Sequence, residues 1–163
     1  MLLGQAYLWK RQHEQAIAEG ERAIALNPND AGGYFWLAET LNFAGKPEEA
    51  LGVAEKAMRL DPRNREVYLF EVGRAYLAMD RYEEAITALK RVLTRAPNFL
   101  GAHLVLAGAY SELGRETEAQ AEAAEVLRIS PNFSLEVGRQ RSPNKDQARF
   151  ERYLAALRKV GLK

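Results

Sequence analysis

Four acids stand in adjacent pairs, Glu48-Glu49 and Glu83-Glu84. Neighbouring carboxylates can serve as general acid and base when their surroundings push their pKa values apart. Both pairs, however, open a stretch of helical periodicity, where acids offset the positive end of a helix and its free amides. A catalytic pair has no reason to recur with a repeat, so these residues read as helix starts. The two histidines, His13 and His103, lie far apart without a second histidine or a carboxylate at ligand spacing. His103 falls where a large packed side chain is expected. Gly32-Gly33 precedes a helix but has no strand before it and no lysine after it, so it is not a phosphate loop. No Gly-x-Ser-x-Gly is present. The absence of cysteine removes thiolate catalysis, disulfides and cysteine zinc sites, and fits a reducing compartment. The expectation is a chain that is not an enzyme, with no catalytic residues, no metal and no cofactor.

The elements that carry these residues repeat. Pro28, Pro62, Pro97 and Pro131 are spaced by 34, 35 and 34 residues. Aligned on them, Gly4, Ala38, Gly73 and Ala107 supply a small residue to a first helix, and Tyr7, Leu41, Tyr76 and Tyr110 follow three later. Ala16, Ala50, Ala85 and Ala119 open a small stripe on a second helix, which Ala23, Ala57, Val92 and Val126 close. Apolar residues at helical spacing predict helices over 2–10, 13–25, 31–44, 47–59, 65–79, 82–95, 99–113 and 116–129. Gly114 suits a left-handed turn between the last two, and Ser130-Pro131 ends the unit.

A helix pair at a period of 34 is the signature of the tetratricopeptide (TPR) repeat, which the chain resembles over residues 2–131. The resemblance implies an all-α fold: a right-handed α-α superhelix of about four helix-turn-helix repeats (about 1–30, 31–64, 65–99 and 100–131). The extension 132–163 is predicted to hold a short helix capped by Ser134, with Val137 as an apolar contact. A final amphipathic helix over 146–160 carries Phe150, Tyr153, Leu154, Leu157 and Val160 on its apolar face and caps the open core. The first repeat lacks its usual leading aromatic, which predicts that the chain starts inside a longer array and that Leu8 and Trp9 are exposed. The third repeat carries the extra residue within its VYLFEV stretch, predicted to be absorbed as a wider helical turn. The phrases AYLWKRQHEQAIAEGERAIALNP, VYLFEVGRAY, PNFSLE and ERYLAALRKVGL also resemble the C-terminal TPR region of bacterial class III adenylate/guanylate cyclases. That resemblance implies a regulatory module separate from the cyclase catalytic residues.

In TPR arrays the first helices line a concave surface. Carried over by position, the expected partner-binding groove comprises Trp9, Phe35, Trp36, Glu39, Asn42, Phe43, Phe70, Glu71, Arg74, Ser111 and Glu112. Phe35 and Trp36 are adjacent and cannot both face the groove, so one of them belongs to the core. The family's clamp for a peptide carboxylate uses lysine, arginine and asparagine. Only Asn42 and Arg74 are of that type, so an apolar helix or extended segment is the better guest. Specificity is expected around Trp36, Phe43, Phe70 and Arg74.

Composition is that of a globular protein, 47% apolar and 28% charged, with net charge +1. There is no run of the ~20 apolar residues needed for a membrane span and no leader of the secretory type, so a cytoplasmic location is expected. From Asn132 onward eight basic residues face three acidic ones, a balance of +5, which leaves −4 on the rest. The leading functional expectation is a regulatory scaffold that binds a protein or peptide. The alternatives are self-association as a homodimer and, disfavoured for want of a reader motif, nucleic-acid or acidic-partner binding by the basic tail.

Overall fold

The computed structural model describes residues 2–163. Eight helices form four consecutive hairpins: α1 (Leu2–Trp9) with α2 (His13–Leu26), α3 (Ala31–Phe43) with α4 (Pro47–Leu60), α5 (Arg65–Ala78) with α6 (Tyr82–Arg95), and α7 (Leu100–Glu112) with α8 (Glu116–Ile129). Two more helices follow, α9 (Leu135–Arg141) and α10 (Gln147–Lys159). Each hairpin packs on the next through its second helix, while α3, α5 and α7 also touch one another and form an inner layer.

Every hairpin turns at one left-handed residue: Arg11 (φ 58°), Gly45 (φ 75°), Asp80 (φ 58°) and Gly114 (φ 70°). The same backbone solution recurs once per repeat. Glycine adopts it freely, whereas a side-chain-bearing residue costs about 1–2 kcal/mol there. Acids fix the entries to two of the inner helices, α3 and α5, while α7 starts after Phe99 with no side-chain cap. The Asp30 carboxylate accepts from Gly32 N–H at 3.1 Å, starting α3. Asp61 accepts from Asn64 N–H at 3.3 Å and from the Tyr68 hydroxyl at 2.9 Å, holding a single 3₁₀ turn, Pro62–Asn64, ahead of α5. The paired acids Glu48-Glu49 and Glu83-Glu84 lie exposed in the first turns of α4 and α6. Glu84 is bonded by Arg81 and Glu83 by Arg115, so they occupy helix-start positions as their recurrence predicts.

Small residues set the depth of packing. Gly73 lies under Leu89, where an added Cβ would meet Cγ at 2.7 Å, and Ala38 and Ala107 are wholly buried. Gly4 and Gly20 lie against the Trp36 indole, which fills the N-terminal core with Leu8 and Ala16. Leu8, expected on an exposed face, is 2% accessible because Trp36 covers its cluster; Trp9, on the far side, is 61% accessible. A larger cluster runs from α3 to α10 through Leu89, Leu106, Val126, Leu154 and Leu157.

The extra residue of the third repeat does not make a wide turn. It lengthens α5 to 14 residues, against 13 in α3 and α7, as a regular α-helix. Glu71 thereby takes the buried site that Trp36 holds in α3 and Val105 in α7.

The extension closes over the inner layer. Ser134 caps α9, its hydroxyl accepting from Val137 N–H at 3.4 Å, and Asp146 caps α10 by accepting from Arg149 N–H at 2.9 Å. Val137, expected to make an apolar contact, is exposed; Leu135 is the residue that α9 buries. Helix α10 packs on α7, with the Tyr153 ring over Gly108 and the Ser111 hydroxyl donating to Ala156 C=O at 3.2 Å. The final helix thus covers the core from the concave side. The segment before it reaches back along the array: Lys145 N–H donates to Phe43 C=O at 2.9 Å, its ammonium meets Glu14 at 2.9 Å, and the Arg11 guanidinium donates to Ser142 C=O at 3.1 Å.

Candidate functional site

The inner faces of α3, α5 and α7 form one wall of a cavity of about 790 Å³, and α9 and α10 form the other. The first wall carries Phe43, Phe70, Leu77, Leu104 and Val105, and the second carries Phe133, Phe150, Tyr153 and Leu157. Gly101 admits the Phe70 ring, which stands edge-on to Phe99 at 4.6 Å between centroids. The Tyr153 ring is half-buried on the opposite side, and desolvation pushes its pKa well above the tyrosine range.

One polar cluster interrupts these apolar walls. The Glu71 carboxylate, 1% accessible, pairs with Arg74 Nη1 at 3.2 Å and accepts from Asn42 Nδ2 at 2.8 Å. Asn42 Nδ2 also donates to the Glu71 carbonyl at 3.0 Å, joining α3 to α5. The Arg74 guanidinium lies 4.1 Å from the Phe43 ring centroid and 5.8 Å from that of Phe70. A charge so deeply buried is tolerated only because it is paired and hydrogen-bonded. Glu39, one turn before Asn42 on the same helix face, lines the cavity. Burial, and then the nearby Glu71 charge, raise its pKa against the pull of Arg74.

The residues expected in the groove therefore divide. Glu39, Asn42, Phe43, Phe70, Arg74 and Glu112 come together around the cavity. Glu71 lies buried behind them. Trp36 is 5% accessible and belongs to the N-terminal core, where Gly4 and Gly20 leave room for its indole. Phe35 is half-buried and stands edge-on to Tyr68 at 6.0 Å, away from the cavity lining. Trp9 lies at the exposed edge of α1. Ser111 is engaged by α10, and Glu112 pairs with Arg152 at 3.4 Å.

Sequence reasoning missed the second wall. Phe150, Tyr153 and Leu157 were readable as an apolar face, but their reach back to the inner helices depends on chain geometry, and Phe133, just before α9, was not read as part of it. It also missed the partners of His103. The buried ring has Nδ1 2.6 Å from Glu122 and Nε2 2.9 Å from Pro97 C=O, so it ties α7 to α8 and to the preceding loop. His13 is buried at the start of α2, with its pKa lowered by burial and then by Lys145. Among the described residues no group of three metal-ligating side chains occurs, and no helix is long and apolar enough to cross a membrane.

The basic tail is largely spent inside the molecule. Arg149 and Arg152 reach Asp80, Arg139 meets Glu151 at 2.6 Å, Lys145 meets Glu14, and Lys159 meets Glu116 at 3.1 Å. Although burial opposes it, the Tyr82 hydroxyl and these arginines hold the Asp80 carboxyl below its usual range.

Comparison with known proteins agrees with this architecture. Residues 9–92 match the family model "Anaphase-promoting complex, cyclosome, subunit 3", and residues 76–137 match a tetratricopeptide repeat model. The "Tetratricopeptide repeat and J domain-containing co-chaperone DNJ1" of Fusarium oxysporum f. sp. lycopersici is 33% identical over 106 residues, covering 61% of this chain and 20% of its own length. The chain thus spans about a fifth of that relative. Among solved structures, TTC0263, a thermophilic TPR protein of Thermus thermophilus, superposes with a TM-score of 0.70 at 27% identity, covering 95% of this chain and 78% of that one. MamA (41-end) from Desulfovibrio magneticus RS-1 shares the fold with a TM-score of 0.68 at 19% identity, covering 97% and 89%. Four helix hairpins, a recurrent left-handed turn, small residues at fixed depth and matches running together from 9 to 137 place this chain in the tetratricopeptide repeat family.

Proposed function

We propose that the chain is a protein-interaction module that holds a peptide, helix or segment of a neighbouring domain in the cavity between its inner helices and α10. The observation that carries this reading is the cavity itself. Its apolar walls come from five helices, with aromatics on α3, α5, α10 and the segment before α9, and one fixed polar cluster gives it direction. Its volume lies within the range of specific ligand pockets, about 300–1,000 Å³. The aromatics are the anchors and Glu39, Asn42 and Arg74 the orienting groups. The fungal relative's name couples such repeats to a J domain, which supports a recognition role for the array within a larger assembly. The cyclase resemblance enters only as a proposal about that larger protein: a regulatory array beside a catalytic domain. Leu104→Trp fills the cavity and tests the reading. A partner captured by the wild type and by a Leu127→Glu surface variant should be lost from Leu104→Trp. Retention by the filled variant would refute groove binding.

A second reading, self-association, is favoured by the exposed apolar side chains Leu3 and Trp9 on α1, 52% and 61% accessible. Light scattering across concentration decides it, since a strictly monomeric species would eliminate the dimer. The internal pairing of the tail counts against nucleic-acid binding, because most of its cations already have carboxylate partners.

A further inference from the structure

Glu39 is half-buried and faces the cavity, yet it has no hydrogen bond or ion pair among the described residues. Arg74 makes no ion pair with it. That guanidinium is committed to both Glu71 oxygens, at 3.3 and 3.2 Å, and to the Phe43 ring. The local balance is therefore two carboxylates against one cation. Asn42, 9% accessible, supplies a second and independent sign. Its Nδ2 serves two acceptors, the carboxylate and carbonyl of Glu71, so the flipped amide would place an oxygen against both. The orientation is thus fixed, and it leaves Oδ1 buried without a donor. Buried acceptors are normally paired, so this unpaired oxygen adds uncompensated negative potential beside Glu39. Glu39 and Asn42 are three residues apart on one helix face, and of the two unpaired groups only the Glu39 carboxylate is open to the cavity, Asn42 Oδ1 being closed off.

The tail does not fill this need. Arg149 and Arg152 line the same cavity but are drawn to Asp80 and Glu112. Burial first, and then the Glu71 charge, raise the Glu39 pKa, and a cation entering beside it would favour the ionised carboxylate.

Resting on the groove reading, we propose that this end of the cavity receives the ammonium or guanidinium of a lysine or arginine on the bound partner segment, held by the Glu39 carboxylate. The aliphatic stem lies along Phe70 and Leu77, and apolar neighbours of the basic residue occupy the aromatic walls. The partner is a peptide segment with one basic side chain among apolar ones, the opposite polarity from a segment recognised through a carboxylate.

The test uses two capped pentapeptides of leucine and phenylalanine around a central lysine or its uncharged isostere, norleucine, titrated calorimetrically into the full chain. The lysine peptide should bind at least about tenfold more tightly, as expected for charge-assisted hydrogen bonds in a half-buried site. Glu39→Gln should abolish that preference with circular dichroism unchanged, Glu116→Gln on the outer rim should preserve it, and Leu104→Trp should abolish binding of both peptides. Equal binding of the two peptides to the wild type would overturn the cation site and leave the groove reading intact. Binding of neither peptide, or lysine-peptide binding that survives Leu104→Trp, would overturn the groove reading and this inference with it.

Discussion

Substituting alanine at Gly108 sets two effects against each other at the contact that builds the cavity's second wall. In a helix interior alanine is worth about 0.5–1 kcal/mol over glycine, which should strengthen α7. The added Cβ, however, would lie 2.5 Å from Tyr153 Cε2 and 2.9 Å from Cδ2. Relieving such an overlap in a packed interior costs about 1–3 kcal/mol. The Tyr153 ring cannot simply swing aside, because Leu154 and Leu157 fix α10 against the same core. Steric cost should win by about 0.5–2 kcal/mol, and it should fall on the docking of α10. Amide exchange read by mass spectrometry tests this. Gly108→Ala should accelerate exchange across 147–159 by roughly 2–30-fold, the factor corresponding to that free energy, with little change in α3 to α6. Tyr153→Leu in the same background should recover part of the loss. If Gly108→Ala raised the urea midpoint and left α10 protection unchanged, Tyr153 would not rest on Gly108, and the cavity would lose its outer wall.

Three further outcomes are expected. Glu71→Ala should lower stability by about 3 kcal/mol in urea unfolding, because it leaves Arg74 without its carboxylate and Asn42 Nδ2 with the backbone carbonyl alone; breaking one side of a buried pair costs about 3–5 kcal/mol, and Arg74 retains some solvent. His103→Phe should keep most of the packing volume but strand the Glu122 carboxylate and the Pro97 carbonyl, at about 1–3 kcal/mol by the same measurement. Glu39→Gln should raise the melting temperature at pH 7. The folded-state pKa of Glu39 lies above the unfolded value, so the native state holds the proton longer and stability declines as pH rises through that window. Wild type and Glu39→Gln should converge below about pH 4, where the carboxyl is protonated in both states.

The repeat fold was legible because its determinants are local and recur: prolines, small residues and turn positions at one period, each fixing a hairpin without reference to distant chain. Phe43, Phe70 and Arg74 were legible as groove residues for the same reason, since position in the repeat sets the direction of the side chain. Trp36 was not, because its place depends on Gly4 and Gly20 in the preceding hairpin leaving room for an indole. The extra residue in α5 was detected, but its form was misjudged: a longer regular helix is favoured when Glu71, turned inward, finds Asn42 and Arg74 waiting. The path of the tail was least legible. An amphipathic helix states which of its faces is buried, and not which surface will bury it.

The ties from Arg11 to Ser142 and from Glu14 to Lys145 join residues 131 apart in the chain. A helical array whose hairpins touch only their neighbours is a spring, with a compliance that adds from one repeat to the next. Fastening the tail of this array to its first hairpin puts a strut in parallel with the coil. Flexing that an open array would spread over all its joints is resisted here to the extent of two exposed ties, of a kind that each contributes little.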